Sequence, residues 1–177
     1  MNTQKPGADP VQVLLDPENL ANAGERETDP KLYEALLENG RERGSKMGLA
    51  YAGALTPEEA WRLHAGGAAT IVDVRTRPEW EFVGHVDGAP LIEWRTYGAT
   101  SANPRFLEDL EGKFDRDHPV LFLCRSAARS HSAAELASRA GFTNAFNILE
   151  GFEGGLDAEG HRGSTGWRAM GLPWQQG

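Results

Sequence analysis

One short stretch, Cys124-Arg125-Ser126-Ala127-Ala128-Arg129, brings together the residue types that nucleophilic attack on an anionic substrate would need. It holds the only cysteine of the chain, with two arginines close by. A thiol becomes a nucleophile when it ionises, and neighbouring cations favour the ionised form. Guanidinium groups in the same turn would also hold the charge of an incoming anion. The competing reading of Cys124 is a small apolar residue closing a core strand, a common place for an unpaired cysteine. A purely structural thiol, however, has no use for two arginines beside it.

The flanking elements position this stretch. Val120, Leu121, Phe122 and Leu123 form a continuous apolar run, as expected of a strand buried on both faces of a parallel sheet. Ala133, Leu136, Ala137 and Ala140 then recur at helical spacing, and Gly141 supplies the stop. The loop therefore leads from the carboxyl end of a strand into the amino end of a helix, with Ser130 in its first turn. Backbone N–H groups there lack intrahelical acceptors, and with the helix dipole they make a cradle for an anion.

Composition bounds what else the chain does. With 177 residues, 40% of them hydrophobic, and a mean hydropathy of −0.50, it suits one soluble domain plus an extension. A net charge of −8 argues against general binding to nucleic acid or anionic membrane. An anionic substrate must then be captured locally, by the loop. One cysteine excludes an internal disulfide, no apolar run is long enough to span a membrane, and the amino end lacks the pattern of a signal peptide. The cytoplasm is the expected location. His64, His118, His131 and His161 show no metal-ligand spacing, so neither a metal nor a cofactor is expected. Ser130 and His131 are adjacent on a helix and point apart, which rules them out as a dyad.

In chain order, residues 1–10 read as disordered, and Val11, Val13 and Leu15 alternate as in a short strand or extended segment. Asp29-Pro30 is a helix start, followed by an apolar face of Leu32, Tyr33, Leu36 and Leu37, with Gly40 and Gly44 expected to end it. A helix that short must dock, on its own domain or on a partner. Strands are expected at 49–55, 69–74, 90–94, 119–124 and 144–149, with helices between them; Thr56-Pro57-Glu58-Glu59 carries a capping box. Alternating strands and helices predict a five-stranded parallel sheet in a three-layer α/β/α domain, with ligands at the strands' carboxyl ends. Residues 1–47 form an N-terminal extension, and 48–177 the domain. Gly151 to Gly155 (GFEGG) follows the last strand, so Glu153, His161 and Arg162 either wall the pocket or belong to a surface connector.

The segment VLFLCRSAARS resembles the active-site strand and six-residue loop of rhodanese-type sulfurtransferases. Ala127 stands where many members have glycine, and alanine resists positive φ. A second segment, IVDVRTRPEWEFVGHVDGAPLI at 71–92, is similar to another family pattern and places Asp73, Arg75, Glu79, Trp80, Gly84, His85, Gly88 and Ala89 in it. The interval from Glu79-Trp80 to Gly84-His85 is one residue longer than is common. Asp73 is expected to order the loop or hold Arg75, Arg75 to pair with Glu79, and His85 to be structural. The tail, with Trp167, Leu172 and Trp174, resembles the closing segment of single-domain members and is read as core.

The resemblance implies that Cys124 takes the outer sulfur of a small anionic donor such as thiosulfate. The persulfide would be held by the 125–130 backbone and by Arg129, then given to cyanide, a small thiol or a protein thiol. Two alternatives stay open. A cysteine-type phosphatase on the same fold shares the thiolate and arginine, but its loop holds one residue more than the four between Cys124 and Arg129. A non-catalytic binding or persulfide-carrier module is the other.

Overall fold

The computed structural model describes residues 9–22 and 29–177. Four strands, β1 (Gly53–Leu55), β2 (Thr70–Asp73), β3 (Val120–Leu123) and β4 (Ala145–Ile148), form one parallel sheet in the order β1-β4-β3-β2. The apolar run before Cys124 is thus a central strand, and every residue of β3 is buried. Around the sheet lie helices α1 (Pro10–Leu14), α2 (Pro17–Ala21), α3 (Pro30–Met47), α4 (Pro57–Ala65), α5 (Phe106–Glu111) and α6 (Ala128–Arg139), and a π-helical turn at Glu79–Val83.

Side-chain alternation along the strands divides the core in two. Ile71, Leu121 and Phe146, which are neighbours in register, face the layer of α3 and α4 together with Trp167. Val72, Val120, Phe122 and Ala145 face α5 and α6. The outcome is the expected three-layer α/β/α arrangement.

The sheet has four strands, not five. Residues 90–94 lie alongside β2, where Asp73 N–H donates to Pro90 O and Ile92 N–H to Asp73 O. Only Asp73 and Leu91 face each other as a bridge. Trp94 N–H also donates to Val74 O at 3.0 Å, but the only bridge these bonds close is Asp73–Leu91, and residues 90–94 add no strand to the sheet.

The amino-terminal helices depart most from expectation. Residues 1–8 of the segment expected to be disordered lie outside the described residues. Asp9 instead caps α1, accepting from Val11 N–H, with Pro10 in the first turn. Val11 and Val13 are therefore helical, not extended, and Leu14 and Leu20 are buried. α3 does not stop at Gly40 or Gly44 but runs for 18 residues to Gly48, whose φ of +69° makes the left-handed cap. The internal glycines let the helix press on β1: a methyl group at Gly44 would lie 2.5 Å from Gly53 Cα. That close approach offsets the roughly 1 kcal/mol that glycine costs inside a helix. Leu36 and Leu37 are buried in the same layer.

The capping box of α4 forms as read: Thr56 Oγ1 accepts from Glu59 N–H, and Glu59 accepts from Thr56 N–H. The long interval after Glu79-Trp80 is taken up by a π-helical turn, Glu79–Val83, ended by Gly84 at φ +111°. A wider turn is how a helix absorbs one extra residue. Among the described residues no helix is long and apolar enough to cross a membrane.

Candidate active site

Cys124 sits immediately after β3, only 1% exposed. The loop behind it is held by its carbonyls. Cys124 O accepts from Phe152 N–H at 2.8 Å, Arg125 O from Glu153 N–H at 3.0 Å, and Ala127 O from the Asn147 amide at 3.3 Å. In a trans peptide the N–H points opposite to the C=O. The N–H groups of Arg125, Ser126 and Ala128 therefore face away from the 147–153 support. Among the described residues, no N–H from 125 to 130 donates to a protein oxygen or nitrogen. These donors are unspent, and Ser130 Oγ–H donates to Cys124 Sγ at 3.2 Å.

Ala127 adopts φ +70°, ψ −2°, the left-handed conformation that glycine would take without strain. Gly151, at φ +70°, allows the support to approach: a methyl there would lie 2.6 Å from Arg125 backbone.

Outside the loop, a cleft of about 500 Å³ opens over Cys124. Arg125, Ser126, Ala128 and Arg129 line one side, Thr76 and Glu79 another, and the 95–99 turn a third. Arg129 gives both terminal nitrogens to Glu79, each at 2.7 Å. Burial alone would push the Glu79 carboxyl up. The Arg129 guanidinium, with the N–H and hydroxyl of Thr76, instead holds it down at about 2. Arg129 is raised above its ordinary value, first by the Glu79 hydrogen bond, against its own partial burial.

The expected Arg75–Glu79 pair does not form. Arg75 is fully buried and donates to Asp73 through its backbone, Nε and Nη2, the last at 2.6 Å, and also to Gly84 O. Its guanidinium lies 4.2 Å from the centre of the Phe152 ring. Asp73 thus holds Arg75 and does not itself line the cleft; the pair backs Phe152, whose N–H holds the cysteine loop. His85 stacks on Trp80 with ring centres 3.5 Å apart, and its Nδ1 lies 3.2 Å from Trp80 O. It lines a separate hollow with Val86 and Gln175. His131 turns away from Ser130 to meet the Tyr51 hydroxyl at 2.7 Å.

Glu153 and Arg162 do not wall this cleft. They line a second, smaller hollow with Arg168 and Trp174, and His161 is exposed in neither. Trp167 and Leu172 are core, but Trp174 is 37% exposed, edge-on to Phe152 and beneath Arg168. Sequence reasoning missed Asn147 and the 95–99 turn. Asn147 carried a signal, a polar residue inside the apolar strand β4. The 95–99 turn carried none beyond its position after a segment beside β2. Among the described residues, no group of His, Cys, Asp and Glu is arranged to hold a metal.

Similarity to known proteins bears on the same region. The chain is 36% identical over 115 residues to the uncharacterized protein RC0915 of Rickettsia conorii, covering 60% of this chain and 83% of that one. It is 26% identical over 121 residues to the thiosulfate sulfurtransferase GlpE of Actinobacillus succinogenes, covering 68% and 88% respectively. Among solved structures, that of Rv0390 from M. tuberculosis is 51% identical, with a TM-score of 0.66, and covers 72% of this chain and all of that one. Residues 56–158, more than half of the chain and including Asp73, the π-helical turn and the cysteine loop, match the model of the rhodanese-like domain. The chain belongs to the rhodanese-like family.

Proposed function

We propose that the protein is a sulfurtransferase that carries a sulfane sulfur on Cys124. The observation that carries this reading is a buried thiol at the base of an open cleft, in a loop whose backbone N–H groups have no protein acceptor among the described residues. The Cys124 thiolate attacks the outer sulfur of thiosulfate or a similar anionic donor. A Cys–S–S⁻ persulfide forms, the donor's S–S bond breaks, and sulfite leaves with its electron pair. The N–H groups of 125–130 hold the terminal sulfur, and the Ser130 hydroxyl supports the inner one. Arg129 borders the site with its guanidinium fixed and its charge balanced by Glu79. An acceptor such as cyanide or a thiol then takes the outer sulfur and returns the thiolate, a covalent two-step transfer.

Asp73, Arg75 and His85 act in this scheme as support, through Phe152 and the π-helical turn. Residues 1–47 supply none of these groups, which suits an extension placed before a catalytic domain of 48–177. A lone catalytic thiol suits the reducing cytoplasm.

The test is mass spectrometry of the intact protein before thiosulfate, after it, and after subsequent cyanide. The expected record is a gain of one sulfur atom, then its loss with thiocyanate released, and no gain in Cys124→Ala. A wild type left unmodified by thiosulfate, or persulfide formed equally in Cys124→Ala, would overturn the reading.

A further inference from the structure

Thiosulfate fills only a small part of the cleft over Cys124. A volume of about 500 Å³ lies in the range, roughly 300–1,000 Å³, that proteins use for organic ligands of many atoms. The charges in it do not cancel. Arg129 is neutralised by Glu79, but Arg95 and Arg125 line the same cleft and form no ion pair among the described residues. No further acidic residue lines it. The chain as a whole is acidic, at −8, so two unopposed arginines facing one cleft stand out as a local anion site.

The turn that brings Arg95 there is built for recognition. Its neck is pinned, because Asn103 N–H donates to Trp94 O at 2.7 Å and the Asn103 amide to Glu93 O at 3.1 Å. Its tip, residues 95–99, is exposed, with Tyr97 at 77%. A tip free of core duties on a fixed neck is where specificity is usually carried.

Resting on the sulfurtransferase reading, we infer that the sulfur acceptor is a small organic thiol bearing carboxylates, held by Arg95 and Arg125 over the Cys124 persulfide. Arg95 is its specificity-determining residue. The acceptor's thiolate attacks the outer sulfur of Cys–S–S⁻. The S–S bond of the persulfide breaks, Cys124 leaves as thiolate, and the acceptor departs as its own persulfide. No external oxidant or reductant enters, and the acceptor's carboxylates stay on the two arginines throughout.

The experiment compares two acceptors of similar size, mercaptosuccinate with two carboxylates and the neutral 1-thioglycerol, on protein first loaded with thiosulfate. Dividing each variant's kcat/KM by the wild-type value removes the intrinsic reactivity of each thiol. Arg95→Glu is expected to lower the ratio for mercaptosuccinate about tenfold more than that for thioglycerol, the scale of one charge-assisted contact. Most of the change should appear in KM, and Arg95→Lys should recover part of it. Equal ratios for the two thiols in Arg95→Glu would overturn the inference while leaving persulfide formation intact. Failure of the wild type to load sulfur would instead strike the underlying reading.

Discussion

Ala127 is a residue at which chemistry and backbone pull apart. Its φ of +70° closes the cysteine loop so that the Ala127 carbonyl meets the Asn147 amide, while the neighbouring N–H groups keep no protein acceptor among the described residues. A Cβ in that conformation costs roughly 1–2 kcal/mol, and glycine avoids the cost but gains about 0.4–1 kcal/mol of unfolded-chain freedom. Ala127→Gly is therefore expected to stabilise the protein by about 0.5–1 kcal/mol, read as a higher urea midpoint with an unchanged slope. A lower midpoint would show that the loop relaxes around the alanine. Cys124, Arg125 and Arg129 were legible in the sequence because they are contiguous, and contiguity needs no fold to be seen. The partner of Glu79 was not. Arg75 lies four residues away and Arg129 fifty, and local spacing favours the nearer. Arg75 is instead drawn into the core by Asp73, with which it is fully buried, and that leaves Glu79 for Arg129.

Between elements, the Glu79–Arg129 pair joins the π-helical turn to the start of α6, the two pieces that frame the cleft. The Glu79 carboxyl sits at about 2 in the folded chain against an ordinary 4.5. A carboxyl depressed on folding contributes stability that is fully present above 4.5 and is lost as pH falls through 2. Glu79→Gln lacks that contribution at every pH. Its melting temperature should lie below the wild type's by about 2–4 °C at pH 5–7, for a partly exposed pair worth roughly 1 kcal/mol, and the gap should close as pH falls toward 2. Thermal melts from pH 7 to pH 2.5 measure it, and a gap of constant width would mean that Glu79 does not titrate against Arg129. The wide turn itself was foreshadowed by one surplus residue before Gly84. Other elements hid behind contacts that local pattern does not encode. Gly40 and Gly44 look like helix stops until β1 is packed against them, with Gly53 as the matching small residue. Residues 90–94 look like a strand and do bond to residues 73 and 74, but only Asp73 and Leu91 close a bridge, which is short of a ladder. Strand β3, buried throughout, announced itself by its apolar run alone.

At the scale of the whole molecule, the chain sets two fields against each other. Its net charge of −8 repels an approaching dianion at long range, while Arg95 and Arg125 attract it within the cleft. Salt separates the two by distance. The Debye length shrinks from about 30 Å at 0.01 M to about 8 Å at 0.15 M, so long-range repulsion is screened first and contacts over a few ångströms persist. If sulfur transfer starts with thiosulfate, kcat/KM for that donor should rise between these salt concentrations, by roughly two- to fivefold on the scale of steering effects. Cyanide concentration is held saturating so that the first half-reaction is the one measured. A fall over the same interval would mean that the two arginines, and not the overall charge, govern approach, and that the cleft projects its field well beyond its own mouth.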